Sequence, residues 1–457
     1  MGCTAAIILL NGEVASCTDS CRPRLGQALC GKPMVEYVVD GVHSLTKNLI
    51  FLGGPREEEL QSLPGAEWAH CIPGEWPQDP GAEVKPLTDV LPDSGSVLLL
   101  HGNMPLLLPR TLKEMVEEAR ERDAVLLAAK MPDPSGYRRV IRKGNGDIRV
   151  AVDDGGAAAE KKMTAEMDTG AYCLAARMLK KYLMRAGSRN MADGCFFANI
   201  ISSMIEDGLN VGAVVVEDIG ESLKINDYLQ LAAAVKILRG RINNRLLETG
   251  VNIIDPNSTF IDEGVEVGNG TTIYPQTIVE GGSRIGSGCR IGPGTHLRDT
   301  SVDDGCSVKN SVAEESTINK GANIGPFAYL RPGTVIGAGV KIGNFVEVKN
   351  SGVGAGSKIP HLSYIGDADI ETGVNFGAGS IIVNYDGQIK HRTSVGKDSF
   401  IGCNSNLIAP IRIGAGAYVA AGSTLNKDVP AGALALGRAP QINKNGMAKR
   451  FLKDNND

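Results

Sequence analysis

From Val267 to Leu425 an aliphatic residue keeps returning every six positions, and this beat constrains the fold more than any other feature of the chain. It runs Val267, Ile273, Val279, Ile285, Ile291, Leu297, slips by one residue to Val302 and Val308, and resumes through Ile318, Ile324, Leu330, Ile336, Ile342 and Val348. Ile370, Phe376 and Ile382 follow, then Val395, Ile401, Leu407, Ile413, Val419 and Leu425. This period fits neither a helix nor an alternating strand. It is the hexapeptide signature of a left-handed parallel β-helix, in which each repeat supplies one short strand and one turn. Three repeats make a triangular coil, and stacked coils bury the aliphatic residue. Glycines in the pairs Ile285-Gly286, Ile291-Gly292 and Ile413-Gly414 are expected at turns that need a positive φ.

The beat is interrupted once more. Between Ile382 and Val395 the gap is thirteen rather than twelve, and the segment from Asn384 to Lys390 is polar. This reads as a loop extruded from a coil, either a site on a rigid scaffold or a tolerated insertion.

The first half has a different texture. Apolar runs at Ala5–Leu10, Asn48–Leu52, Val97–Leu100 and Val125–Ala129 alternate with helical stretches such as Arg110–Arg122. That alternation predicts a Rossmann-like α/β domain with a mostly parallel sheet. Leu231, Val235, Leu238, Ile242 and Leu246 then recur at helical spacing and end before Gly250, a natural residue to stop a helix. The expected organisation is an α/β domain over 1–227, a linker helix over 228–250, the β-helix over 251–437 and a basic tail over 438–457. With 457 residues the chain is too long for one core.

Several function classes are disfavoured. A net charge of −5 leaves no nucleic-acid footprint. No stretch is long and apolar enough to cross a membrane, and no signal-type segment opens the chain, so a cytoplasmic protein is expected. Ala6 breaks the myristoylation pattern begun by Gly2. Cys17 and Cys21 lack a second ligand pair for zinc, and His296, His361 and His391 lie too far apart for a β-helical carbonic anhydrase.

Polar residues on the repeats carry the chemistry. Arg331 follows Leu330 and Lys349 follows Val348, so both should point outward about one coil apart, as a phosphate clamp or as a solvated charge pair. His361 lies one coil further on, so that three stacked coils would offer arginine, lysine and histidine in order, with Tyr364 and Asn375 beyond.

The segments Gly325-Pro-Phe-Ala-Tyr-Leu-Arg-Pro-Gly333, Gly343-Asn-Phe-Val-Glu-Val-Lys349, His361-Leu-Ser-Tyr-Ile-Gly-Asp367, Val374-Asn-Phe-Gly-Ala-Gly379 and Asn384-Tyr-Asp-Gly387 resemble one family. It is the bacterial bifunctional N-acetylglucosamine-1-phosphate uridyltransferase/glucosamine-1-phosphate acetyltransferases, whose domain order the whole chain follows. The resemblance implies that Arg331 and Lys349 bind the sugar phosphate, Tyr364 and Asn375 the sugar, and that His361 is the general base. It implies an acetyl-CoA cleft lined by Ala378, Asn384, Tyr385, Cys403, Ala421 and Arg438, with Lys390 reaching a neighbouring subunit of a homotrimer. Cys403 stands where serine is common. Lys444, Lys449, Arg450 and Lys453 would meet coenzyme A phosphates or simply be solvated.

The first domain departs from the family's uridyltransferase motifs. Around Leu10-Asn-Gly-Glu-Val-Ala-Ser-Cys17 only Gly12 survives of the phosphate loop, and Glu13 occupies the phosphate path. Arg24 stands at a lysine position, Asp168 at a sugar-contacting asparagine and Arg138 at a glycine, while Gly136-Tyr137 survive. Arg22, Arg24 and Arg138 offer replacement positive charge. Mg²⁺ would fall to Asn103 and Asn226, yet Asn103 is neutral where the family has a carboxylate. The expectation is a working acetyltransferase whose uridyltransferase is lost or impaired. A fully bifunctional enzyme and a non-catalytic scaffold are the competing readings.

Overall fold

The computed structural model describes residues 2–10, 25–53, 61, 63, 65–73, 80–130, 138–142, 148–152, 166–187 and 196–451. Two compact units divide the chain, residues 1–239 and 240–457.

The first unit is built on a nine-stranded sheet. Strands β1 (Cys3–Leu9), β2 (Leu49–Leu52), β3 (Ala69–Ile72), β4 (Ser96–His101), β5 (Ala124–Lys130), β6 (Arg139–Arg142), β7 (Ile148–Val152), β8 (Glu166–Ala175) and β9 (Val211–Val215) lie in the order β9-β5-β8-β4-β1-β2-β3, with β6 and β7 joined through β8. β8 is antiparallel to both its neighbours, while β1 pairs in parallel with β2 and β4. Alternation along β1 sends Ala6 and Ile8 to one core and Ala5, Ile7 and Leu9 to the other. Helices Met34–His43 and Pro109–Glu118 cover the first core, and Pro80–Val90, Ala176–Gly187 and Phe196–Glu206 cover the second. Both sheet faces are therefore buried, which explains the continuous apolar runs read from the sequence.

Helix Tyr228–Glu248 carries Leu231, Ala234 and Leu238 in the first unit's core, and the division between the units falls within it. It closes as expected at Gly250: Gly250 N donates to Leu247 O and Val251 N to Leu246 O.

In the second unit three all-parallel sheets of eleven, ten and nine strands form the faces of the β-helix. We refer to them as faces one, two and three, beginning at Asn252–Ile253, Phe260–Ile261 and Glu266–Val267. The predicted aliphatic positions stack inward. Ile273, Ile291, Val308, Ile324 and Ile342 on face one are all fully buried. Ala313, Val353, Ile359 and Ile365 fill the gaps in the sequence beat and are equally buried. Ala313 is too small to stand out as an aliphatic beat, and a five-residue step from Val348 to Val353 shifts the phase in which Ile359 and Ile365 continue.

Two expectations need correction. Ile382 and Val395 lie on consecutive faces, so thirteen residues span a single hexapeptide step. Phe376 accordingly pairs with Ile401 across 25 residues, whereas Ile401 pairs with Val419 across 18, and seven residues are extruded. The Ile-Gly glycines also do different work from that expected. Of the three, Gly292 has a positive φ, 97°. Gly286 and Gly414 are needed because the next coil is too close for a side chain. A Cβ would lie 2.6 Å from Asp304 N at the first and 2.4 Å from Ala431 N at the second.

Gly414→Ala should consequently destabilise the β-helix by about 1–3 kcal/mol, the usual cost of overpacking. A urea midpoint unchanged from wild type would show that the coils can separate to admit a methyl group.

Candidate functional site

Inter-coil register decides which predicted residues meet. Leu330 pairs with Val348 on face two, so Arg331 stands directly over Lys349. The expected continuation of that stack to His361 does not occur. Lys349 pairs instead with Gly366, and His361 belongs to face one, where it pairs with Asn344. The reason is spacing: Lys349 and His361 are less than one coil apart.

His361 joins a different column. Lys358 pairs with Asn375, Asn375 with Phe400, and Phe400 with Tyr418. His361, Ala378, Cys403 and Ala421 each lie three residues beyond one of these paired positions, at the corner that leaves face one. Close packing keeps the corner narrow, since a Cβ on Gly377 would meet Cys403 N at 2.5 Å and one on Gly402 would meet Ala421 N at 2.5 Å. Arg438 Nη1 donates to Ala421 O at 3.0 Å, fixing that guanidinium on the last member. The His361 side chain is exposed, and Asn375 on face one is half-buried.

Face two holds a charged cluster. Arg331 Nη1 bonds Glu347 Oε1 at 2.9 Å, and Lys349 Nζ lies 4.0 Å from Asp367 Oδ2. Lys390, in the extruded loop, sits against Lys349 of the same chain. This contact, together with burial and the Arg331 charge, holds the Lys349 ammonium below its ordinary pKa despite the attraction of Asp367. Three cations converging on one face form a place for an anion.

Asp367, Asn350 and Glu347 did not enter the sequence-based site, yet they organise it. Asp367 is 7% exposed. Its carboxylate accepts from Asn350 Nδ2 at 2.6 Å and from Asn384 Nδ2 at 2.5 Å. Burial alone would raise its pKa, but those two donors with Lys349 and Lys390 outweigh it and hold the carboxyl below its usual range. The Asn384 amide is thus engaged from beneath the surface. Gly366 leaves room for this: a Cβ there would meet Tyr364 Oη at 2.6 Å and Asn384 Nδ2 at 2.8 Å. Tyr385 is 54% exposed, its hydroxyl donating to Gly387 O, and the loop is tied by a His391 Nε2 to Asp386 hydrogen bond of 2.6 Å. The signal that could have found Asp367 is its place between Asn350 and Asn384 at one-coil intervals.

In the first unit, the loop around Gly12 and Glu13, together with Cys17, Cys21, Arg22, Arg24, Gly136 and Tyr137, lies outside the described residues, as does Lys453 of the tail. Asn103 and Asn226 do come together: Asn103 Nδ2 donates to Asn226 Oδ1 at 3.0 Å. Asn103 Oδ1 is buried with no hydrogen bond. Asp168 accepts from Gly170 N and from Tyr172 Oη, both at 2.8 Å, and burial outweighs these bonds to raise its pKa. Burial and the Lys224 ammonium hold His101 well below its ordinary value, so its ring is neutral. This donor set does not fit Mg²⁺. Among the described residues it offers two amides bonded to each other, with the ammonium of Lys224 acting on the neighbouring His101. Among the described residues no cluster of three His, Cys, Asp or Glu side chains is suited to a metal.

The Asp367 knot makes a pH prediction. Its folded pKa is depressed, so its contribution is present above the unfolded carboxyl value and lost as pH falls through the lower folded one. Asp367→Ala should cost about 1–3 kcal/mol at neutral pH, because the buried Asn384 amide loses its acceptor. The difference from wild type should shrink below roughly pH 4. A gap in denaturation midpoint that stays constant from pH 7 to pH 3 would contradict this account.

Comparison with known proteins adds an independent line. The bacterial transferase hexapeptide (six repeats) model matches residues 264–299, 315–350 and 392–427. A bifunctional protein GlmU of Acetivibrio thermocellus is 40% identical over 97% of this chain and 97% of its own length. That of Thermoanaerobacter pseudethanolicus is 42% identical over 98% of each. A Geobacillus relative of the same name is 37% identical, again over 98% of each. With the repeats, the corner column and near full-length similarity in hand, the chain belongs to the bifunctional GlmU family of hexapeptide transferases.

Proposed function

We propose that the β-helical unit transfers the acetyl group of acetyl-CoA to the amine of glucosamine-1-phosphate, and that the first unit has lost, or retains only weakly, the uridylyl transfer that would complete UDP-N-acetylglucosamine. The observation that carries the first part is the corner column. It puts an exposed histidine in line with the small residues Ala378, Cys403 and Ala421 and the Arg438 guanidinium, in the same coil as Tyr364. Arg331, Lys349 and Lys390 lie on the face that follows.

The chemistry runs from these positions. An ammonium has no lone pair, so the sugar amine must lose a proton before its nitrogen attacks the thioester carbonyl. Histidine, with an ordinary pKa of about 6.5, suits that step near neutral pH. The C–N bond forms, the C–S bond breaks, and coenzyme A leaves as its thiol. The paired cations receive the sugar phosphate, with Tyr364 and Asn375 toward the ring. Small residues along the corner leave a channel for the pantetheine arm, with Asn384 and Tyr385 at its acetyl end and Arg438 further along. Backbone N–H groups in such a channel are the natural donors to the tetrahedral oxyanion.

The site is also positioned for completion by a second copy. Phe327 and Phe345 stack at 5.4 Å with rings only 9° apart, and both are more than half exposed, as is Leu362 beside His361. An exposed apolar stripe flanking the base supports a homotrimer in which neighbouring prisms cover it.

For the first unit, the neutral Asn103 weighs against the metal and the acidic Glu13 against the triphosphate. Coulomb terms of a few kcal/mol at a partly buried site translate into orders of magnitude in rate.

His361→Ala should lower acetylation, followed as free thiol release, by roughly 10²–10⁴ while the protein remains folded; near-normal turnover would remove His361 from the mechanism. For the first unit, purified protein given UTP, Mg²⁺ and N-acetylglucosamine-1-phosphate should release little pyrophosphate. Turnover on the order of 10 s⁻¹, typical of enzymes, would refute the loss.

A further inference from the structure

We propose that Asp367 is a positioning residue for both substrates: touching neither, it sets the lysine that receives the sugar phosphate and the asparagine at the acetyl end of the coenzyme channel, so that one carboxylate governs both affinities. This rests on the reading of the β-helical unit given above and adds a claim about a residue that lies beneath the site.

Register brings the carboxylate under both groups. Asp367 follows Gly366, which pairs with Lys349, and its N–H donates to Lys349 O at 3.0 Å. It stands at a corner with φ +50°, as Asn350 does one coil earlier at +45°, a left-handed backbone that aspartate and asparagine adopt more readily than most residues. From there the residue is 7% exposed, and its oxygens are turned toward protein. Oδ1 accepts from Asn350 Nδ2 and Oδ2 from Asn384 Nδ2, and Oδ2 is also the atom 4.0 Å from Lys349 Nζ. A single oxygen therefore serves a cation of the phosphate-binding face and an amide of the channel. Hydrogen bonds to an ionised acceptor are about twice as strong as neutral ones, so this oxygen holds its partners firmly.

The extruded loop is tied to the same residue at both ends. Asn384, where the loop leaves the coil, is held through its side chain, and where the loop returns Thr393 N donates to Asp367 O at 3.1 Å. Between them His391 N donates to Asn384 O at 2.8 Å, which closes the loop on itself, and Lys390 lies against Lys349. The Asn384 amide and the Tyr364 hydroxyl both pass over Gly366, where a Cβ would meet each of them. Removing the Asp367 charge would thus release Asn384 and Lys349 together. An asparagine at this position cannot replace it. Its one oxygen can accept from one neighbouring amide, while its own NH₂ would face the donor of the other and the Lys349 ammonium. Supporting groups of this kind are what hold binding side chains in their productive geometry.

The test is calorimetric titration of the full-length protein with glucosamine-1-phosphate and, separately, with acetyl-CoA. Asn384→Ala should weaken acetyl-CoA alone and Lys349→Met glucosamine-1-phosphate alone, the other affinity staying within about twofold of wild type. Asp367→Asn should weaken both ligands, by about three- to tenfold each. In the double variant Asp367→Asn/Asn384→Ala the loss of acetyl-CoA affinity should match that of Asn384→Ala to within about twofold, because the carboxylate acts through that amide. Gly414→Ala, which lowers stability away from the cluster, should leave both affinities unchanged and so separates positioning from folding. The melting transition checks each variant. If Asp367→Asn does not fold, Asn350→Ala, which takes the other amide from the carboxylate, should weaken both ligands by about threefold. Loss of affinity for only one ligand or neither in the folded Asp367→Asn or its substitute, losses that multiply in the double variant, an equal effect of Gly414→Ala, or a wild-type protein that binds neither ligand would each overturn the proposal. A wild-type protein that binds both but transfers no acetyl group would overturn only the reading of the reaction, so the two failures are distinguishable.

Discussion

The second unit depends on one constraint, the in-register contact between consecutive coils. Backbone N–H and C=O groups of each coil pair with the next, and each inward aliphatic residue sits on its equivalent one coil away. The spacing is tight enough that Gly286, Gly377, Gly402 and Gly414 have no room for a side chain against the neighbouring backbone. That rigidity is what turns residues scattered through a hundred positions into columns. A chemical group on one coil is held at a fixed offset from groups one coil above and below, without help from flexible loops.

The two units handle charge in opposite ways. On face two of the β-helix, Arg331 is hydrogen-bonded to Glu347, and Lys349, with Lys390 against it, lies within ion-pair distance of Asp367. The Asn350–Asp367–Asn384 ladder anchors this arrangement from below, so the carboxylate stays ionised although it is nearly buried. In the first unit the charged groups lie deeper. His101 is kept neutral, Asp168 is raised, and Lys224 and Arg138 surround them. Desolvation, rather than exposed pairing, governs their behaviour.

The two units therefore differ in how their polar side chains are set. The β-helical unit holds the exposed His361 in one column with Ala378, Cys403 and Ala421, and Arg331 over Lys349 on the next face. In the described residues of the other unit the α/β sheet has both faces covered, while His101, Asp168 and Lys224 have a different electrostatic character. A fold whose core is aliphatic tolerates such exchange because core and site are separate sets of residues.

Periodicity alone determined the β-helix, the alternating apolar runs determined the α/β sheet, and the helical spacing ending at Gly250 determined the helix between them. These are local patterns, and burial enforces them residue by residue. His361, Arg331 and Lys349 were legible as candidates because short motifs carried them. What only the tertiary structure decided is who stands beside whom. Coils of 16 to 18 residues, with a seven-residue extrusion in one of them, separate His361 from the Arg331–Lys349 column and align it with Ala378, Cys403 and Ala421. The seating of Lys390 against Lys349, the burial of Asp367 between two asparagines and the approach of Lys224 to His101 were equally unreadable from spacing. Each depends on through-space distances between residues far apart in sequence, set by packing and by the low dielectric it creates, and no one-dimensional period encodes them.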